Sequence, residues 1–85
     1  MLTPRFSVCE VRPVDGHTLL LTFADGRCGA FDMTPLLGWD VYARLRDPDL
    51  FARAHAEHGT VVWPGNIDVA PELLYEGLVE SHEGA

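Results

Sequence analysis

Alternation of apolar and polar residues dominates the first third of the chain. In Phe6-Ser7-Val8-Cys9-Glu10-Val11-Arg12 a period of two places Cys9 and Val11 on one face and Glu10 and Arg12 on the other. His17 to Phe23 repeats the pattern, with Leu19, Leu21 and Phe23 inward against Thr18 and Thr22, and Arg27 to Phe31 reads as a third strand. The connections agree. Pro13-Val14-Asp15-Gly16 has Pro where a turn starts and Gly where it ends, and Asp25-Gly26 between apolar runs is a strong hairpin signal. These features predict a three-stranded antiparallel meander.

Further along, the period changes. Asp32-Met33-Thr34-Pro35-Leu36-Leu37-Gly38 offers a capping residue (Asp32 or Thr34), Pro at the first helical position and Gly past the end. Val41, Tyr42 and Leu45 allow more helix over Trp39 to Arg46, and Asp47-Pro48 restarts it, carrying Leu50 and Phe51 to the core. Ala52, Ala54 and Ala56 alternate with Arg53, His55 and Glu57, the strand period, and His58-Gly59 turns the chain into Thr60-Val61-Val62-Trp63. That combination predicts a hairpin over about residues 53–63. Pro71 opens a last helix, Glu72 to about Glu80, with Leu74, Tyr75 and Leu78 as its apolar stripe and Glu72, Glu76 and Glu80 as a second stripe at i, i+4, i+8. The fold class expected is α+β in two layers: meander, short central helices, hairpin and C-terminal helix. It forms a single domain over residues 1–80 with a frayed acidic tail at 81–85.

Composition narrows the function. The 85 residues carry 13 carboxylates against six arginines, a net charge of −7, so DNA, RNA and anionic membranes repel the chain as a whole. Apolar runs no longer than Leu19 to Leu21 fall far short of the roughly 20 residues that span a bilayer. No charged stretch precedes an apolar one at the N-terminus, so no signal peptide is expected and the protein is placed in the cytoplasm. The charge is also unevenly distributed. Met1 to Arg46 balances five acids with five arginines, whereas Asp47 to Ala85 holds eight acids and one base, Arg53. A chain this short buries only about 60–65% of its unfolded surface, so a partner-covered face would help it.

Candidate chemistry is sparse. Cys9 and Cys28 are too few for a disulfide framework and are expected as buried free thiols acting as small hydrophobes. His17, His55 and His58 do not combine with them at metal-ligand spacing, so no metal and no cofactor is expected. Asp25 belongs to a turn and Asp32 to a helix cap. Asp68 and Glu72, four apart near a helix start, read as a cap and a glutamate favoured by the helix dipole. Trp63 in an alternating strand reads as packing, whereas Trp39, between Gly38 and Asp40, is the candidate exposed aromatic.

Three blocks in register give a resemblance. Phe23, Asp25, Gly26, Gly29 and Asp32 are followed by Leu45, Asp47, Pro48 and Phe51. Trp63, Pro64, Asp68, Pro71, Glu72, Leu74 and Tyr75 complete the series. This succession, over about Phe6 to Leu78, resembles the domain of unknown function 2442 family of small bacterial proteins. The family has no established activity. The resemblance implies a small α+β domain with a meander and a C-terminal hairpin. Some relatives carry a helix-turn-helix domain after this module, and others are encoded beside a second small protein in an arrangement similar to toxin–antitoxin pairs. No such DNA-binding part follows Leu78 within these 85 residues, so a repressor role is not expected. The family commonly has Asn-Gly after the Trp-Pro pair and this chain has Gly65-Asn66, so a different turn type is expected there.

The leading expectation is a non-enzymatic protein-interaction module whose acidic C-terminal half binds a basic partner protein, antitoxin-like by resemblance and encoded by the adjacent gene. Glu72, Glu76, Glu80 and Trp39 are the expected partner-binding residues. A structural homodimer is the second reading. An acid–base enzyme using Asp25, Asp32, Asp68 or His17 is a remote third.

Overall fold

Residues 7–80 are described by a computed structural model. Phe6, where the first strand was expected to begin, and the tail 81–85 lie outside the described residues. The architecture is mixed α+β, with two antiparallel sheets and short helices. The first sheet runs in the order β1 (Val8–Val14), β2 (Thr18–Phe23), β3 (Cys28–Asp32), β7 (Val79–Glu80). The second runs β4 (His55–Glu57), β5 (Thr60–Trp63), β6 (Ile67–Val69).

The meander forms where alternation and turn chemistry agree. Leu19 pairs with Phe31 and Leu21 with Gly29, so Leu19, Leu21, Phe23 and Phe31 share the inner face. The Asp25 carboxylate accepts the Arg27 N–H at 2.9 Å and closes the β2–β3 turn. β1 departs from simple alternation. A bulge between Val8 and Glu10 leaves Cys9 as the extra residue: Val8 faces the core opposite Phe23, and Glu10 faces out opposite Thr22. Cys28 also stands opposite Thr22 on that outer face. Both cysteines are therefore exposed free thiols rather than the buried ones expected.

Between the sheets, Thr34–Gly38 and Asp40–Arg46 are 3-10 helices. The spacing of three between buried Tyr42 and Leu45 suits that tighter winding. Asp32 does not cap the first of them: Met33 occupies that place, and Asp32 instead accepts the Thr34 N–H at 2.9 Å. Asp47 does cap α1 (Pro48–Phe51), accepting from the Asp49 N–H at 3.0 Å. In the turn between β5 and β6, Gly65 and Asn66 have φ of 93° and 65°. Two residues tolerant of left-handed backbone are required there, and Gly and Asn meet that need in either order.

The C-terminal segment differs most from expectation. α2 covers Pro71–Glu76 only, and Gly77 ends it. A Cβ at Gly77 would come within 2.5 Å of the Phe31 ring, so the chain passes close over β3 and then pairs with it as β7, Gly29 opposite Glu80 and Ala30 opposite Val79. Pairing satisfies backbone groups that the edge of β3 would otherwise present, which a helix continued to Glu80 could not do. One hydrophobic cluster joins the two sheets and the helices, with Leu19, Leu45, Val61, Val69 and Leu74 completely or almost completely buried.

Candidate functional site

The acidic half takes its shape from α2 and β6. Glu72 sits in the first turn of α2, where the helix dipole favours a carboxylate, and Glu76 follows one turn later; both are exposed. Glu80 does not extend this stripe. It lies on β7, with its carboxylate 2.6 Å from Arg27 Nε, so the three-glutamate stripe expected for one helix is a pair. Asp68 stands on β6 opposite Val62 and caps nothing: Ala70 precedes α2 without a side-chain cap. Glu57, on β4, lies 3.8 Å from His55 Nε2.

A second cluster ties this end of the chain to the β2–β3 turn. The Tyr75 hydroxyl donates to Asp25 Oδ2 at 2.6 Å, the Arg27 guanidinium lies 4.6 Å from the Tyr75 ring centroid, and the ring meets Phe23 edge-on at 5.0 Å. The Tyr75 hydrogen bond, followed by the Arg27 N–H, holds the Asp25 carboxyl below its ordinary pKa. Arg27 reaches Glu80 from the other side, so four side chains from three elements interlock.

Of the residues considered for acid–base chemistry, Asp32 and His17 come within electrostatic reach of one another. The Thr34 backbone N–H, then the Thr34 side chain, lower the Asp32 pKa. His17 Nε2 donates to the Arg46 carbonyl at 3.2 Å, and its ring stands edge-on to Phe51 at 4.9 Å. Asp25 is held instead by Tyr75, and Asp68 lies on the other sheet. Both lowered carboxyls are ionised at neutral pH, whereas a general acid needs a raised pKa.

The two tryptophans have opposite environments. Trp63 is buried and donates its indole N–H to the Phe51 carbonyl at 3.0 Å. Trp39 joins the two 3-10 helices at 55% exposure, beside Val41 at 57%. Its ring tilts against Tyr42 at 6.0 Å between centroids. Burial raises the Tyr42 pKa first, and the Asp68 charge raises it further. Arg44 is drawn to the Gly65 carbonyl at 3.0 Å.

Among the described residues no group of three or more His, Cys, Asp or Glu side chains could hold a metal ion, and no helix is long and apolar enough to cross a membrane. Besides Trp39, four large apolar residues are exposed among the described residues, Val14, Leu20, Val41 and Val79. Leu20 had a signal: in a strand, the middle member of Leu19-Leu20-Leu21 must face away from its neighbours. Val79 had none, because its segment reads as helix.

A family model described as "Protein of unknown function (DUF2442)" matches residues 8–80. No curated protein and no solved structure matches the chain.

Proposed function

The chain belongs to the DUF2442 family of proteins of unknown function, and from that premise we propose that it is a non-enzymatic protein-interaction module whose acidic C-terminal half docks a basic partner protein. One observation carries this reading. Glu57, Asp68, Glu72 and Glu76 are all exposed, none pairs with an arginine among the described residues, and the sequence holds no Lys or Arg after Arg53. Such a surface attracts and orients a cationic partner over about a Debye length, ~8 Å at physiological ionic strength.

Trp39 and Val41 supply the apolar anchor this surface needs. Exposed tryptophans anchor interfaces and receive cations on the ring face. Glu72, Glu76 and Trp39 are the binding residues in this reading. Glu80 contributes less, because Arg27 neutralises it. The unpaired thiols of Cys9 and Cys28 suit the reducing cytoplasm. Family members encoded beside a second small protein make the adjacent gene product the partner to test, in an antitoxin-like role.

The experiment is co-expression with that gene product, followed by size exclusion at low and high salt. A complex that weakens as salt rises, and weakens again in Glu72→Gln/Glu76→Gln, is the expected result. Absence of a complex, or one indifferent to salt, overturns the reading.

A further inference from the structure

The outer face of the four-stranded sheet is open and apolar at its centre. Register places Arg12 opposite Leu20, Leu20 opposite Ala30 and Ala30 opposite Val79, so one row across all four strands reads Arg12, Leu20, Ala30, Val79. Val79 is 72% exposed and Leu20 39%. Together with Ala54 and Ala56 beside β1, this row borders a groove of about 800 Å³. Adjacent apolar side chains left in water on one sheet face mark an interaction surface rather than scattered surface residues.

We propose that this face docks against the same face of a second copy of the chain, across a two-fold axis. Charge selects that occupant. The groove is bordered by one carboxylate, Glu10, and one guanidinium, Arg12, two positions apart on β1 and both facing out, together with the His55 imidazole of β4. The chain's net charge of −7 arises entirely from Asp47 to Ala85, where acids outnumber bases by eight to one. Two copies meeting through α2 or β6 would bring that charge together. Meeting through β1–β2–β3–β7 keeps the unpaired acids of α2 out of the contact.

A two-fold axis makes every contact twice, so Glu10 of each copy faces Arg12 of the other while Leu20 and Val79 leave water. A basic partner finds no net negative charge in this groove to attract it. The contact is separate from the surface proposed above for the basic partner, and either can fail without the other.

The test begins with the unaltered protein. Light scattering from micromolar to millimolar concentration is expected to pass to twice the 9.4 kDa chain mass. Leu20→Asp and Val79→Asp, each with circular dichroism matching the parent, should weaken self-association by roughly a hundredfold, the effect of burying an unpaired charge. Val41→Asp, at the exposed apolar site beside Trp39 and outside the groove, should leave it unchanged. Arg12→Glu should weaken the dimer, and adding Glu10→Arg should restore it. A monomer at every concentration overturns the proposal. So does a dimer that survives both groove substitutions or is lost with Val41→Asp.

Discussion

The Tyr75 hydroxyl donates to Asp25 across 50 positions of chain, at 2.6 Å, and so fastens α2 to the β2–β3 turn. The local turn needs Asp25 only to accept the Arg27 N–H. Its second oxygen is thereby free to hold the C-terminal half. Arg27 then covers the Tyr75 ring and meets Glu80, so the turn anchors both the helix and the strand that follows it.

This bond sets an acid dependence. The folded pKa of Asp25 lies below its ordinary value of 3.8, so its contribution to stability is present above that pH and is lost as pH falls through the folded value. Tyr75→Phe removes the largest cause of the shift. Wild type should exceed the variant in urea midpoint at about pH 7, and the gap should narrow towards about pH 3. Asp32, lowered by Thr34, keeps part of the acid slope in both proteins. A gap constant with pH would show that the Asp25–Tyr75 bond does not set it.

β7 depends on a missing side chain. A Cβ at Gly29 would collide with the Val79 carbonyl and lie 2.8 Å from the Glu80 Cα. Backbone atoms cannot yield as a flexible side chain does, so Gly29→Ala should expel β7 and break the Arg27–Glu80 pair. The expected loss is about 1–3 kcal/mol by urea unfolding, with faster amide exchange at residues 78–80. Unchanged exchange there would contradict the close approach.

The two tryptophans should respond differently to the same change. Trp63→Phe removes the indole N–H from the Phe51 carbonyl and leaves a void in the core, together about 1–3 kcal/mol. The carbonyl keeps the Ala54 N–H, which limits the cost. Trp39→Phe, at an exposed site, should fall within about 0.5 kcal/mol. Denaturation followed by circular dichroism measures both. Equal losses would mean that Trp39 is packed more tightly than its exposure indicates.

The candidate site was legible in part. Exposed Glu72 and Glu76 follow from the polar side of a short amphipathic helix, and Trp39 from its place between two short segments. The position of Glu80 was not legible. Its i, i+8 spacing from Glu72 fits a helix, but the pairing available at the edge of β3 and the arginine beyond it outweigh propensity. The thiols illustrate the same limit. A single bulged residue moved Cys9 out of alternation, and no residue type in β1 announces that bulge.

What the sequence determined by itself was local. Leu19, Leu21 and Phe23 share a face because a strand repeats every two residues, and the chain reverses at Asp25-Gly26 because Gly26 takes a left-handed backbone (φ 90°) and the Asp25 carboxylate accepts the Arg27 N–H. The uneven charge is likewise fixed by residue order. Tertiary structure decided where α2 stops, which acids remain unpaired and that Leu20 and Val79 share one open row. Those outcomes depend on which backbones can approach one another, at Gly29 beneath Val79 and at Gly77 against Phe31. Contacts between residues about 50 positions apart leave no period in the chain to read.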